Sequence, residues 1–336
     1  MPFTICGVEI KPGENKIIDL PTTQFYTNTH VTIPIHVIRG KKDGPRLFVC
    51  AAIHGDEING VEIIRRLLKK NLRRMKGTLI AIPIVNIHGF VQQTRYLPDR
   101  RDLNRSFPGS KKGSLAARLA YTFMKEIVEK CTHGIDVHTG AIHRTNLPQI
   151  RANLDDPETA RLAKAFSVPV MLNSKIRDGS LREAASELGI PMLLYESGEA
   201  LRFDEVSIRA GLRGIVKVMT ELGMLPKPSK TSRIHKKTTI AQGSSWVRSQ
   251  SSGIVRTKVE LGDHVSKGQL LGVINDPFGE NETRINSPYD GIVIGRVTIP
   301  LVYEGDALFH IAYFGEIEKV AENVEAFVEH IMPENT

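Results

Sequence analysis

Apolar positions recur along the first two thirds of the chain in two alternating periods. Val31–Arg39 and Arg46–Ile53 are β-branched and apolar, with the turn signal Gly40–Gly44 between them. Asn59–Leu72 carries Val61, Ile64, Leu67 and Leu68 at helical spacing. Thr78–Val85 returns to a strand-like run, and Leu115–Val128 is helical, with Leu115, Leu119, Phe123 and Ile127 four apart. Gly134–His138 is a short buried-strand candidate. Asp156 and Pro157 supply an N-cap and a first-turn proline for a helix over Glu158–Phe166. Ser180–Leu188 and Phe203–Leu222 read as helices and Pro191–Glu196 as a strand. Apolar strands separated by helices predict an α/β fold, with a mostly parallel sheet covered on both faces.

The pattern then changes. Residues 226–237, rich in Pro, Ser and Lys, read as a linker between a catalytic unit (1–225) and a β-rich unit (238–315). Beyond the linker, short strands carry glycine turns at Gly253, Gly262, Gly268, Gly272, Gly291, Gly295 and Gly305, which predicts a small all-β barrel or sandwich. A helix over Ile317–Ile331, within residues 316–336, closes the chain.

Composition excludes several classes. Hydrophobic residues make up 41% and charged residues 24% of 336, as in an ordinary globular protein rather than a disordered one. No apolar run approaches the roughly 18–20 residues that span a bilayer, so no membrane association is expected. No signal peptide is evident, and the three scattered cysteines, Cys6, Cys50 and Cys131, make a disulfide framework improbable, so the expected location is cytoplasmic. The net charge of +8 conceals a division: residues 238–336 hold 7 Lys+Arg against 14 Asp+Glu, and residues 1–237 hold 38 against 23. Opposite signs suggest that the two parts dock, within one chain or between copies in a homo-oligomer. The basic run Arg65, Arg66, Lys69, Lys70, Arg73, Arg74 and Lys76 has no interleaved aromatics to stack bases, so it reads as a solvated face and no nucleic-acid partner is expected.

Three apolar strands end in polar residues with no evident packing reason: His54-Gly-Asp-Glu57, His138-Thr-Gly140 and Tyr195-Glu-Ser-Gly198. Ligands bind beyond the carboxyl ends of strands in doubly wound sheets, so these groups could converge. His54 and Glu57, three apart at a strand-to-helix turn, can point to one site, and His138 arrives from a neighbouring strand. Two histidines and a glutamate leave a fourth position open, as in a catalytic zinc site, and zinc lowers the pKa of bound water to about 7. Glu196 is then the free carboxylate placed to move a proton from water to a leaving amine. A further loop, Thr94–Gly109, carries arginines suited to binding carboxylates or a developing oxyanion.

His54-x-x-Glu57, Asp102-Leu-Asn-Arg105, Asp136-x-His138 and Glu196 within Tyr-Glu-Ser-Gly, in this order, resemble the succinylglutamate desuccinylase/aspartoacylase family, a branch of the zinc carboxypeptidase-like fold. The resemblance covers about residues 25–225. It implies one zinc ion per chain on His54, Glu57 and His138, with Glu196 as the catalytic carboxylate. It also implies that Asn104 and Arg105 contact a substrate carboxylate. The family's carbonyl-polarising arginine lies in an Arg-Tyr pair that Arg95-Tyr96 matches. The gap from there to Arg105 is two residues longer than the family pattern, so Arg101 competes for the role. Asp136 either orients His138 or caps the strand end, and Tyr195 either lines the pocket or packs. The C-terminal part resembles biotinyl/lipoyl barrels, but its Asn275–Ile285 stretch has no lysine to modify. It reads as an appendage that closes over the site or mediates oligomerisation.

The expected activity is zinc-dependent removal of an acyl group from an N-acyl amino acid or related small amine bearing a carboxylate. The alternatives are a metallocarboxypeptidase acting on peptides and a non-enzymatic binding protein on the same fold.

Overall fold

A computed structural model describes residues 3–174, 178–227, 238–315 and 317–331. Most of the expected linker lies outside the described residues.

The centre of the molecule is a mixed sheet. Its parallel core consists of four strands in the order Lys76–Ile82, Lys42–Ala51, His133–Gly140 and Met192–Glu199. These are the near-continuous apolar runs of the sequence, and both their faces are buried, as all-parallel strands require. The antiparallel strands Asn15–Gln24 and His30–Arg39 extend the sheet at one margin. Helices Asn59–Leu68, Pro157–Phe166 and Glu205–Glu221 cover one face through Ile63, Ile64, Leu67, Leu162, Phe166, Ile215 and Val218. Helix Leu115–Glu126 covers the other with Leu119 and Phe123. The predicted cap is present: Asp156 accepts a hydrogen bond from Thr159 N at 2.7 Å, with Pro157 in the first turn.

The sequence pattern misses one central strand, Arg144–Ala152. Its polar residues and internal Pro148 argue against a strand inside a sheet. The register shows why Pro148 is tolerated. One edge of this strand pairs antiparallel with Met192–Glu199. Its other edge forks, residues 144–146 pairing with Gly295–Val297 and residues 149–152 with Val170–Asn173. Leu147 and Pro148 sit in the fork, where that ladder has no partner to supply.

Through this fork the sheet runs on into the C-terminal part, where Gly291–Val297, Ala307–Tyr313 and Gly243–Arg248 follow, giving 13 strands in all. A four-stranded sheet (Glu282–Asn286, Leu270–Asn275, Gly253–Thr257, Leu301–Val302) packs over that extension around Leu271, Ile274, Val293, Leu308 and Phe309. The result is a small β sandwich. The junction itself is apolar: Leu147, Val170 and Leu172 bury against Ile292, Ile294, Ala312, Phe314, Val320 and Val324. The last helix, Ile317–Ile331, spans both parts, with Val320 and Val324 at this junction and Phe327 and Ile331 against the catalytic core. Docking by opposite charge is therefore not what the structure shows. Backbone pairing and apolar burial make the contact.

Truncating Ile294, fully buried at the junction, to Ala is expected to cost about 2–5 kcal/mol. The loss is expected to fall on both parts together. Trp246, the single tryptophan, reports on the β sandwich, and far-ultraviolet dichroism reports on the helices of the catalytic part. Coincident melts by the two probes, little changed by salt, are expected; separate transitions would contradict a shared junction.

Candidate active site

His54, Glu57, His138 and Glu196 come from three adjacent parallel strands at their carboxyl ends. His54 follows Lys42–Ala51 in a tight turn in which Glu57 N donates to His54 O at 3.1 Å. That turn presses on helix Ile87–Val91, where Gly55 allows the approach: a Cβ there would lie 2.0 Å from the Gly89 carbonyl carbon. His138 and Glu196 are register partners on neighbouring strands and so project from the same face of the sheet.

The cluster is closed and polar. His54, Glu57 and His138 are only 4%, 2% and 4% exposed. Glu57 Oε1 lies 2.6 Å from His54 Nδ1, Glu57 Oε2 lies 2.8 Å from His138 Nδ1, and the two Nδ1 atoms are 3.2 Å apart. The outer nitrogens are taken by carboxylates: His54 Nε2 meets Asp102 Oδ1 at 3.2 Å, and His138 Nε2 meets Asp136 Oδ2 at 2.7 Å. Asp102 and Asp136 accept the Nε2 proton of each ring, so each Nδ1 faces Glu57, donating to it when the ring is protonated and offering a lone pair to a cation when it is not. Asp136 thus orients His138 rather than capping the strand.

Two lone pairs and a carboxylate meeting at one buried point require positive charge there. Protons supply it in part. Burial pushes the His54 and His138 imidazoles down, but Glu57, Asp102 and Asp136 outweigh burial and hold both above their ordinary range. Burial pushes Glu57 up, but the two histidines outweigh it and hold the carboxyl well below the usual carboxylate range. A divalent cation satisfies the same demand, and one donor atom from each of the three residues lies within 4.8 Å of the others. The two-histidine, one-carboxylate set suits zinc and leaves a coordination position for water or substrate.

Arg95 reaches the cluster and Arg101 does not. Arg95 Nη2 binds Asp102 Oδ2 at 2.9 Å, and its Nη1 lies 3.2 Å from His54 Nδ1 and 3.4 Å from Glu57 Oε1. Its backbone carbonyl accepts from Asn86 Nδ2 at 3.3 Å. The intervening residues fold into a turn closed by Leu97 N to Arg101 O at 3.1 Å, and Arg95 lies beside Asp102. Arg101 is 63% exposed and lies near Asp99. Asn104 follows in a short helical turn capped by Asp102, with its Oδ1 accepting from Leu181 N at 2.9 Å. Arg105 is exposed next to it.

Tyr195 belongs elsewhere. One residue before Glu196, it points to the opposite face of the sheet. There it stacks on Phe166 at 5.1 Å, donates to Ser207 O at 2.8 Å and is 1% exposed. It is a core residue, not a pocket wall. The sequence reading also passed over two groups. Asp102, inside a recognised motif, links His54 to Arg95. Asn146, on the strand the pattern missed, donates from Nδ2 to Glu196 Oε2 at 2.8 Å. Of the basic run, Arg65 and Arg66 pair with Glu62, and Arg66 also with Glu205.

The catalytic-domain model of the succinylglutamate desuccinylase/aspartoacylase family matches residues 43–222. The chain belongs to this family. It is 27% identical over 297 residues to the N-alpha-acetyl-L-2,4-diaminobutyric acid deacetylase of Halomonas elongata, an alignment covering 84% of this chain and 86% of that protein. The structure is similar to that of the product-bound ectoine utilization protein EutE (DoeB) of Ruegeria pomeroyi, with a TM-score of 0.82 at 23% identity over 94% of this chain and 98% of that one. It is also similar to a Rhodobacter sphaeroides succinylglutamate desuccinylase/aspartoacylase, with a TM-score of 0.79 at 24% identity over 89% and 95%. The fold is accordingly the zinc carboxypeptidase-like one. Cys6, Cys50 and Cys131 are all free, and no helix among the described residues is long and apolar enough to cross a membrane.

Metal affinity is expected to fall on acidification, because each imidazole has to lose its Nδ1 proton to bind a cation and Asp136, Asp102 and Glu57 raise the pH at which it does so. Replacing Asp136 with Ala is expected to weaken zinc binding about 10–100-fold, read by competition with a chelator across pH 5–8.

Proposed function

We propose that this protein is a zinc-dependent amidohydrolase that removes an acyl group from an N-acyl amino acid or a related small N-acyl amine. The observation that carries this reading is the buried meeting of His54 Nδ1, Glu57 and His138 Nδ1, with Glu196 in register beside His138. The Halomonas elongata relative is by name a deacetylase of N-alpha-acetyl-L-2,4-diaminobutyric acid, which supports testing acetylated diamino acids first.

His54, Glu57 and His138 would hold one zinc ion. When bound, it supplies a Lewis acid and an ionisable water at neutral pH. Glu196 accepts the proton of the attacking water and passes it to the amide nitrogen as the C–N bond breaks, so that the acid and the free amine leave together. Its carboxylate is partly exposed, with 17% of the side chain accessible, and can reach a bound substrate. Arg95 donates to the carbonyl oxygen as negative charge develops there, and its Asp102 partner keeps the guanidinium in place between turnovers. Arg105, exposed on the same loop, and the half-buried Asn104 beside it bind the substrate carboxylate. The surplus of basic residues before residue 238 favours an anionic substrate.

Glu196→Ala is expected to keep its zinc and lose turnover by about 10²–10⁴-fold, the range for a general acid–base group, whereas His138→Ala is expected to lose the metal. The assay is a panel of N-acyl amino acids and N-acyl diamines with metal content measured in parallel. A Glu196→Ala enzyme with unchanged kcat would sink the mechanism.

A further inference from the structure

Asn146 stands where the catalytic sheet meets the C-terminal strands. It is 5% exposed, and its Nδ2 ties down one oxygen of Glu196 at 2.8 Å. The other oxygen, Oε1, lies 3.8 Å from Arg151 Nε, an ion-pair separation with no hydrogen bond. On the far side of its strand Asn146 is the register partner of Gly295, Gly295 of His310, and His310 of Trp246. The row therefore runs from the β sandwich to the proposed proton carrier.

Two features hold the row rigid. The backbone at Gly295 is not in the left-handed region, so conformation alone would admit other residues. Space does not: a Cβ at Gly295 would lie 2.8 Å from Asn146 Oδ1 and 3.2 Å from the His310 Cβ. Asn146 and His310 thus close over a bare backbone. His310 in turn is fixed. It is 4% exposed, stacks on Trp246 at 4.7 Å and 12°, and bonds Ser244 Oγ through Nε2 at 2.9 Å. Burial, with Arg151 nearby, pushes its pKa down to about 3, so the ring stays neutral. Arg144 lies over the other partner of that stack, 5.6 Å from the Trp246 centroid.

We propose that Asn146 is the positioning residue for Glu196, and that the C-terminal β strands, through Gly295 and His310, hold Asn146 in the rotamer that makes this bond. This rests on the reading of Glu196 as proton carrier. Tying Oε2 leaves Oε1 to take and deliver the proton, and it removes the rotational freedom the carboxylate would otherwise have to lose in each turnover. The β sandwich is on this account part of the hydrolytic machinery, not only an attachment.

The test compares Asn146→Ala, Asn146→Asp and Gly295→Ala with Glu196→Gln, each with zinc content, melting temperature, kcat and KM measured on the best substrate of the panel. Asn146→Asp nearly preserves shape but, ionised, replaces the amide donor with an acceptor facing Glu196, so it reports even where the alanine variant fails to fold. Both Asn146 variants are expected to lose about 10–100-fold in kcat, the range for groups acting through a catalytic neighbour. Their KM is expected to change by less than about threefold and their metal content to stay full, because the lost interaction acts in the chemical step. Gly295→Ala is expected to show the same split. Wild-type kcat in the Asn146 variants, with or without a lower melting temperature, overturns the inference when Glu196→Gln is inactive, and leaves the hydrolase reading standing. Wild-type kcat in a folded, zinc-loaded Gly295→Ala protein overturns the part assigned to the C-terminal strands. Undiminished kcat in Glu196→Gln overturns the hydrolase reading itself.

Discussion

Glu57 is the group around which the rest of this site is arranged. A carboxylate with 2% exposure is costly to bury unless opposite charge and hydrogen bonds surround it. Here both its oxygens are engaged, by His54 and His138 and by the Thr139 backbone N–H at 3.0 Å. Each histidine is then backed by a further carboxylate, Asp102 or Asp136, and Asp102 by Arg95. Removing one partner from such a buried set leaves an uncompensated charge, a loss of about 3–5 kcal/mol. The outer groups are therefore as constrained as the inner ones, which accounts for the recurrence of acids and an arginine in one small volume.

The sheet order makes this convergence possible. Three parallel neighbours end on the same side, so residues far apart in sequence meet at their carboxyl ends without any long loop having to fold over. The strand next to them, Arg144–Ala152, runs the other way and does a different task. It contacts the catalytic strand on one edge and divides on the other between Val170–Asn173 and the C-terminal sandwich. The two parts of the chain thus share one hydrogen-bonded sheet, with an apolar seam beside it.

Legibility in the sequence followed the strength of the local signal. The four strands of the parallel core were visible because both faces are buried and the runs are largely apolar. The helices were visible because one face is buried and the caps are chemical, as at Asp156 and Pro157. Glu57, His54, His138 and Glu196 stood out because polar groups directly after buried strands have no packing role. Arg144–Ala152 was not visible, because its polar side chains find partners only across strands, Asn146 at Glu196 and Gln149 at Ile294, and Pro148 is harmless only because the ladder forks there.

The sequence by itself determined the elements, the strand ends that carry the chemistry and the family, since those depend on local periodicity and on motifs short enough to read directly. The tertiary structure decided which of the plausible residues act together. It placed Arg95 at the cluster and left Arg101 exposed, at the end of the turn closed by Leu97 N and Arg101 O. It turned Tyr195 into the core, because alternation along a strand sends adjacent side chains to opposite faces. It also brought Asn146 to Glu196 with Gly295 and His310 behind it, a relation set by cross-strand register, which no local pattern encodes.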